Sequence, residues 1–139
     1  MAAININTIR ATVEKRLVNE FRRNQVIPLV FNNVFFDESV HEEFIQCVTS
    51  FGTNQYLTQA SSGSTNLIVG LITLDIFTKQ GVGAGSNFLI ADRLRKLFNR
   101  IKVSGVRFDA PVGPEILQSD IEGKFHTQMR ITFELYETV

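Results

Sequence analysis

The 139-residue sequence is poor in the residues that build several kinds of functional site. A single cysteine, Cys47, excludes an internal disulfide and any zinc site made of several cysteines. There are only two histidines and no tryptophan. There is also no net charge, because 14 basic residues balance 14 acidic ones. The total charge therefore does not indicate duplex DNA or an anionic membrane as a partner.

Long apolar runs are lacking as well. The longest, residues 67–77, is interrupted by Gly70, Thr73 and Asp75, and a membrane-spanning helix needs about 20 apolar residues. The N-terminal residues do not pair a basic region with an apolar one, so we expect no signal peptide and a cytoplasm-like compartment. The length and the 44% hydrophobic content are typical of one domain with its own core, so we treat residues 1–139 as a single domain.

The first amphipathic helix is predicted from about residue 6 to residue 24. Its apolar residues recur every four positions, and charged residues fill the remaining surface. Asn5, Asn7 or Thr8 is the predicted cap, and Pro28 excludes a continuation of the helix.

A second helix is predicted after the glycine-rich run 81–86, with Ser86 or Asn87 as its cap. Basic residues cover much of its outer surface. Its buried stripe is predicted to consist of Ala91, Leu94, Leu97, Phe98 and Ile101.

The remaining segments predict strands and loops. The extended or strand segments are 29–36, 44–51, 67–77, 106–108, 116–121 and 125–136. Segment 67–77 is apolar on both faces, so we expect a central strand covered by helices on one side and by a neighbouring subunit on the other. Segment 125–136 alternates strictly, which predicts one dry face and one wet face. The order of elements favours an α+β fold, with a mostly antiparallel sheet packed against two main helices.

The sequence contains no recognisable catalytic arrangement. Only His41 and His126 are available for a catalytic triad, no G-x-S-x-G elbow exposes a serine, and Cys47 lies in an apolar strand rather than an electropositive setting. The acidic segment 37–43 contains a lone histidine and matches no cation-binding loop. We therefore predict no catalytic residues, no metal site and no cofactor.

The glycine-rich run Gly81-Val-Gly-Ala-Gly-Ser86 invites comparison with phosphate-binding loops. It lacks the third glycine of G-x-G-x-x-G and the lysine that ends a P-loop. We interpret it as a loop that leads into a helix, and phosphate binding remains an alternative.

The neutral total conceals segments of opposite charge. Residues 1–30 carry five basic and two acidic residues, and residues 90–109 carry six basic and two acidic ones. Residues 31–50 carry four acidic residues and no basic ones. Two interpretations remain open: ordinary solvated surfaces, or complementary patches that meet on adjacent copies or on an assembly partner. Direct DNA binding is disfavoured, because the basic residues form no recognisable DNA-binding motif.

A series of motifs resembles the tail-terminator proteins of long-tailed bacteriophages. After the first helix come Asn33-Val-Phe-Phe36 and the strand that begins at Phe44, followed by a polar loop containing Gly63. A "G-x-x-x-x-D-x-F" strand, Gly70 to Phe77, then passes through a glycine-rich loop into an "A-D-x-L" helix, Ala91 to Leu94. The resemblance covers most of the chain, but the loop 53–66 and residues 123–139 match no motif of the family.

The resemblance implies a structural role. Such proteins form a six-subunit ring on the head-proximal end of the tail tube, stop tube polymerisation and provide the surface for head joining. The implied partners are further copies of the chain, the tail tube protein and head-completion or neck proteins. DNA is present only as the genome passing through the lumen, and no membrane is involved. The implied location is the virion tail, after assembly in the host cytoplasm.

On this basis we expect two contact regions. The acidic Asp37, Glu38, Glu42 and Glu43 of one subunit are predicted to face the basic Arg93, Lys96 and Arg100 of the next. The polar loop 52–66 is longer than a hairpin requires, which is typical of functional loops. Its Gln55, Tyr56, Leu57 and Ser62 are candidate contacts with tube or neck proteins. Another head–tail joining protein, or less directly a nucleotide- or phosphate-binding enzyme, remains the alternative function.

Overall fold

The computed structural model describes residues 6–23, 27–32, 41–52, 55–56, 65–118, 121 and 123–138. These residues form two helices and eight strands. The helices are α1 (Ile6–Arg23) and α2 (Gly85–Phe98). The strands are β1 (Leu29–Val30), β2 (Phe44–Phe51), β3 (Gln55–Tyr56), β4 (Thr65–Lys79), β5 (Lys102–Val103), β6 (Val106–Phe108), β7 (Val112–Leu117) and β8 (Lys124–Thr138).

One sheet joins all eight strands. Its main path runs β1-β2-β4-β8-β6-β5, while β3 pairs with β4 and β7 pairs with β8. The β1–β2 pair is parallel and every other described pair is antiparallel. The long strands β4 and β8 pair along their whole length, from Thr65 opposite Thr138 to Lys79 opposite Lys124. The predicted α+β class with a mostly antiparallel sheet is confirmed.

Helix α1 confirms the periodicity argument. Ile9, Val13, Leu17 and Phe21 are fully buried in the core beneath it. Asn7 lies inside the helix, where its Oδ1 accepts hydrogen bonds from Arg10. The predicted cap Asn5 lies outside the described residues.

The two faces of β4 differ in burial. Ile72, Leu74 and Ile76 point toward the helices and are fully buried. Leu67, Val69 and Leu71 alternate with them on the other face and are only half-buried. The first covering layer that the sequence predicted is therefore the pair of helices. A second layer from a neighbouring subunit stays a prediction.

Helix α2 begins differently from the prediction. Its N-cap is Ala84, and no side chain of the described residues caps it. Asn87 is instead fully buried: its Nδ2 donates to the Ile76 carbonyl at 3.2 Å and to Thr78 Oγ1 at 3.3 Å. Its Oδ1 accepts a hydrogen bond from the Thr127 hydroxyl. The cap prediction was wrong because Asn87 lies on the helix face that packs on the sheet.

Two strand boundaries also differ from the sequence pattern. The strand predicted at residues 116–121 lies instead at Val112–Leu117 and contains Gly113 and Pro114. These residues fit there because β7 is an edge strand whose pairing is irregular between Val112 and Glu115. The loop predicted at 52–66 contains the short strand β3, and β4 begins at Thr65. No described helix is long and apolar enough to cross a membrane.

Candidate assembly surfaces

The "G-x-x-x-x-D-x-F" motif on β4 is explained by packing. A Cβ at Gly70 would lie 2.3 Å from Phe133 Cζ and 2.6 Å from the Ser50 carbonyl oxygen, so no larger residue fits without movement. Phe133 uses this space to meet Phe51 edge-on at a centroid distance of 5.6 Å. The glycine therefore lets an aromatic ring cross the sheet surface.

The acidic and aromatic residues of the same motif lie on the other face of the sheet. Asp75 Oδ1 lies 2.7 Å from His126 Nε2 and accepts a hydrogen bond from Gln128 Nε2 at 3.0 Å. The ring of Phe77 stacks between Phe44 and His126, at centroid distances of 4.7 and 4.3 Å. These contacts join β2, β4 and β8, so Asp75 and Phe77 have a structural role in the sheet.

The "A-D-x-L" motif on α2 divides between core and surface. Ala91 and Leu94 are buried against the sheet. Asp92 is exposed and pairs with Arg95 and Lys96, whose hydrogen bonds and positive charges lower the pKa of its carboxyl group. The motif is thus a packing pattern with a surface ion pair.

Groups capable of catalysis do not converge in the described part of the chain. Cys47 faces the helices, where burial raises the pKa of its thiol to about 12, so it is not a thiolate nucleophile. His126 and Asp75 lie on the opposite face of the sheet. Among the described residues, no three metal-ligating side chains cluster.

The glycine-rich run forms a turn before α2. Gly81 and Gly83 have positive φ values of 88° and 86°, which favour glycine, and the helix begins at Gly85. Val82 between them is exposed. Sequence and backbone thus agree on a loop that leads into a helix.

The predicted acidic region is described in part. Asp37 and Glu38 lie outside the described residues. His41 and Glu42 offer their backbone carbonyls to Lys124 Nζ, which fixes the start of β2 beside the start of β8. Glu42 is exposed and Glu43 is half-buried.

The predicted basic residues occupy three different environments. Arg93 is partly buried: its guanidinium lies 4.2 Å from the Phe21 ring centroid, and its Nε lies 3.4 Å from a Glu20 oxygen. Lys96, whose side chain is 70% exposed, pairs with Asp92 at 3.1 Å. Arg100 is exposed just beyond the end of α2. Arg93 therefore fastens α2 to α1, and only Lys96 and Arg100 present their charge fully at the surface.

The predicted tube- or neck-contact loop is described at two positions. Gln55 and Tyr56 form β3, paired with Leu67 and Asn66 of β4. Leu57 and Ser62 lie outside the described residues. The beginning of this loop is therefore anchored on the sheet. The contact of the loop with tube or neck proteins remains a prediction.

A groove beside α1 was not identified from the sequence. It has a volume of about 680 Å³ and lies between α1 and the segment that follows α2. Its lining residues are Thr8, Ala11, Thr12, Lys15, Arg16, Asn19, Glu20, Leu97, Val103 and Ser104. The sequence feature that corresponds to this groove is the side of α1 that carries small and polar residues. Hydrophobic periodicity alone predicts that such a side faces solvent.

Exposed apolar residues form a second surface around α2 and β7. Phe88 and Leu89 of α2 and Val112 and Ile116 of β7 are all exposed. A groove of about 330 Å³ separates the two elements, with Phe88 and Pro114 among its lining residues. Exposed apolar residues in such numbers on neighbouring elements are typical of contact surfaces.

Comparisons with known proteins agree with this description. A family model described as "Phage tail terminator protein" matches residues 8–113, which include α2, all but the first two residues of α1, and most of the strands. No curated protein sequence matches the chain. One solved structure shares 16% sequence identity and has a TM-score of 0.71, covering 95% of this chain and 96% of its own. At that identity the structural likeness concerns the fold alone.

Proposed function

The chain belongs to the phage tail terminator family, and we propose that it forms a ring that caps the head-proximal end of the tail tube. In this role it stops tube polymerisation and provides the surface for head joining. Its partners are other copies of itself, the tail tube protein and the head-completion or neck proteins. The genome passes through the lumen of the ring as the only DNA it meets. The ring assembles in the host cytoplasm and remains in the virion tail.

The observation that carries this proposal is the family match across residues 8–113. The structure supports it through the kind of surface that the chain presents. Half-buried apolar residues line one sheet face, and exposed apolar residues lie on α2 and β7. A subunit of a ring needs two different contact surfaces, because each copy binds its neighbours through different sides.

We propose that opposite charges define the contact between subunits. Asp37, Glu38, Glu42 and Glu43 of one copy face the basic end of α2 in the next copy, where Lys96 and Arg100 are exposed. Arg93 supports this surface from behind, through Glu20 and Phe21. Such complementarity chiefly sets orientation and register.

Charge reversal tests this contact. Glu42→Lys with Glu43→Lys should weaken ring formation at low salt, measured as the mass of the assembled species in solution. Unchanged ring formation by the double variant would contradict the assignment.

We propose that the loop around Gln55, Tyr56, Leu57 and Ser62 contacts the tube or the neck. Its start is held on β4 by the β3 pairing, so the loop has a fixed origin on the sheet. Deletion of several residues from 56–64 should leave the pairing of β2, β4 and β8 intact and impair tail capping or head joining. A deletion protein that caps tails and joins heads normally would show that the loop has another role.

Electron microscopy of particles that lack this protein tests the capping function. A terminator stops polymerisation, so its loss should give tubes longer than those of the complete phage. Tails of normal length that fail to join heads would instead indicate a joining protein. Complementation with the intact chain should restore both length and joining.

A further inference from the structure

We infer that the groove beside α1 is the receptor for the acidic segment of the neighbouring copy, with Arg16 and Lys15 as its carboxylate-binding residues. The inference rests on the proposed ring and specifies which surface of the subunit receives the neighbour. It adds a site to the contact proposed for Lys96 and Arg100.

Arg16 is held in a position suited to binding a carboxylate. Its Nε donates to the Leu97 carbonyl at 2.8 Å, which ties the guanidinium of α1 to the end of α2. Its two terminal nitrogens have no partner among the described residues. A planar guanidinium fixed at one nitrogen still offers a fork of donors that matches the two oxygens of a carboxylate.

The groove around Arg16 is electropositive. Glu20, the acidic residue in its lining, is already paired with Arg93. Lys15 is exposed beside Arg16 and has no acidic partner in the part of the chain that the structure describes. The lining also supplies hydrogen-bonding groups from Asn19 and Ser104. An acidic segment therefore finds both charge and donors in this groove.

Glu42, the exposed and described carboxylate of the acidic segment, and the part of the groove formed by Leu97 lie toward opposite ends of the subunit. Helix α2 starts beside Thr78, bonded through Asn87, and ends where Phe98 packs on Phe108 near Phe133. Leu97 in the groove belongs to that second end. Glu42 lies at the first end, where its carbonyl accepts a hydrogen bond from Lys124 at 3.1 Å.

The separation between these two ends bears on whether the groove receives the acidic segment of its own copy or that of a neighbouring copy. Lys124 and Phe133 are nine residues apart on β8, which corresponds to roughly 30 Å in an extended strand. This separation places Glu42 and the Leu97 end of the groove apart along the sheet, which favours a contact between copies over one within a copy. Complementary surfaces at opposite ends of one subunit give a heterologous contact, which closes into a ring when the rotation allows it. The occupant is thus a second copy of this chain, presenting the segment in which residues 31–50 carry four acidic residues and no basic ones.

Four variants of the full chain, each assembled with and without tail tube protein, test the receptor site. Lys15→Glu reverses an exposed charge in the groove. Arg16→Gln keeps an N–H donor for Leu97 but removes the charge and the fork. Arg22→Glu makes the same charge change as Lys15→Glu on an exposed part of α1 outside the groove and is the matched control. Lys15→Glu combined with Glu42→Lys restores opposite charges.

The expected results separate the receptor site from the proposed function. Lys15→Glu and Arg16→Gln should each weaken ring association by about tenfold or more at low salt, and Arg22→Glu should not. The combined variant should recover part of the loss. If Arg16→Gln lowers the unfolding midpoint, the exposed Lys15→Glu decides the outcome.

Two results would overturn the inference in different ways. Groove variants that assemble like Arg22→Glu, or a combined variant whose loss equals the summed losses of Lys15→Glu and Glu42→Lys, would refute the receptor site and leave the ring standing. An unmodified chain that forms no ring, either alone or on tail tubes, would refute the proposed function and this inference together.

Discussion

At the scale of single residues, strand β4 shows that the role of a residue depends both on its type and on its position in the sheet. Gly70 is present because the Phe133 ring occupies the space of a side chain. Asp75 lies in an apolar strand because Gln128 and His126 of β8 meet its carboxylate. Buried or half-buried polar groups are retained where such partners exist. The residues of the family motif are therefore explained by folding.

Gly70→Ala should destabilise the fold by about 2–3 kcal/mol, because the new Cβ would overlap Phe133 and a backbone oxygen of β2. The loss would appear as a lower midpoint in urea denaturation. Gly85→Ala is the matched control, because a Cβ there meets no described atom within 4 Å. Equal stability of the two variants would show that the contact at Gly70 relaxes without cost.

Cys47 should resist alkylation in the folded protein. Burial raises the pKa of its thiol from 9.0 to about 12, so the reactive thiolate at pH 8 is about a thousandfold rarer than in the unfolded chain. The unfolded thiol releases its proton above pH 9, and the folded one holds it until about pH 12. The contribution of Cys47 to stability is thus fully present below pH 9 and is lost as the pH rises through that interval.

Iodoacetamide labelling with and without urea measures this protection. Rapid labelling of the native protein at pH 8 would show that the strand opens readily. A native protein labelled only in urea would confirm that Cys47 belongs to the core.

At the scale of elements, periodicity predicted what the chain does locally. The spacing of four identified α1 and its buried side, and strict alternation identified β8. The boundaries of β7 were not predictable, because Gly113 and Pro114 signal a turn in a sequence and an irregular edge strand in the sheet. The role of Asn87 was hidden for a related reason: its three partners come from β4 and β8.

The end of α2 provides a prediction about an element. Arg100 follows the C-cap Asn99 with a φ of 52°, a left-handed conformation that glycine adopts at lower cost. Arg100→Gly should therefore leave the fold equally stable or more stable by about 1 kcal/mol. Under the proposed subunit contact it should nevertheless weaken ring formation, because it removes an exposed cation.

Ser104→Gly is the matched control for Arg100→Gly. Ser104 has a similar φ of 51° and no charge, so its replacement should relieve the backbone in the same way; it is a control for stability only, because Ser104 also lines the groove beside α1. Urea denaturation and light scattering measure the two effects separately. If the Arg100→Gly variant forms rings as stable as those of the unmodified chain, Arg100 does not take part in the contact between subunits.

At the scale of the whole molecule, the zero net charge is the sum of acidic and basic residues that lie in different segments of the chain. The two basic segments include the helices, which lie on one side of the sheet, and the acidic residues precede β2 in the sequence. The sequence predicted the patches and a partnership between them. It did not predict that Arg93 is engaged with Glu20, or that a groove forms between α1 and the end of α2, because both depend on how the helices cross.

Tube polymerisation in the presence of the purified chain tests the capping role most directly. Tail tube protein is allowed to polymerise with increasing amounts of this protein, and tube lengths are measured by electron microscopy. The proposed role predicts that tubes shorten at amounts far below one chain per tube subunit and that a ring is visible at one end only. Tubes of unchanged length with bare ends at every ratio would contradict it.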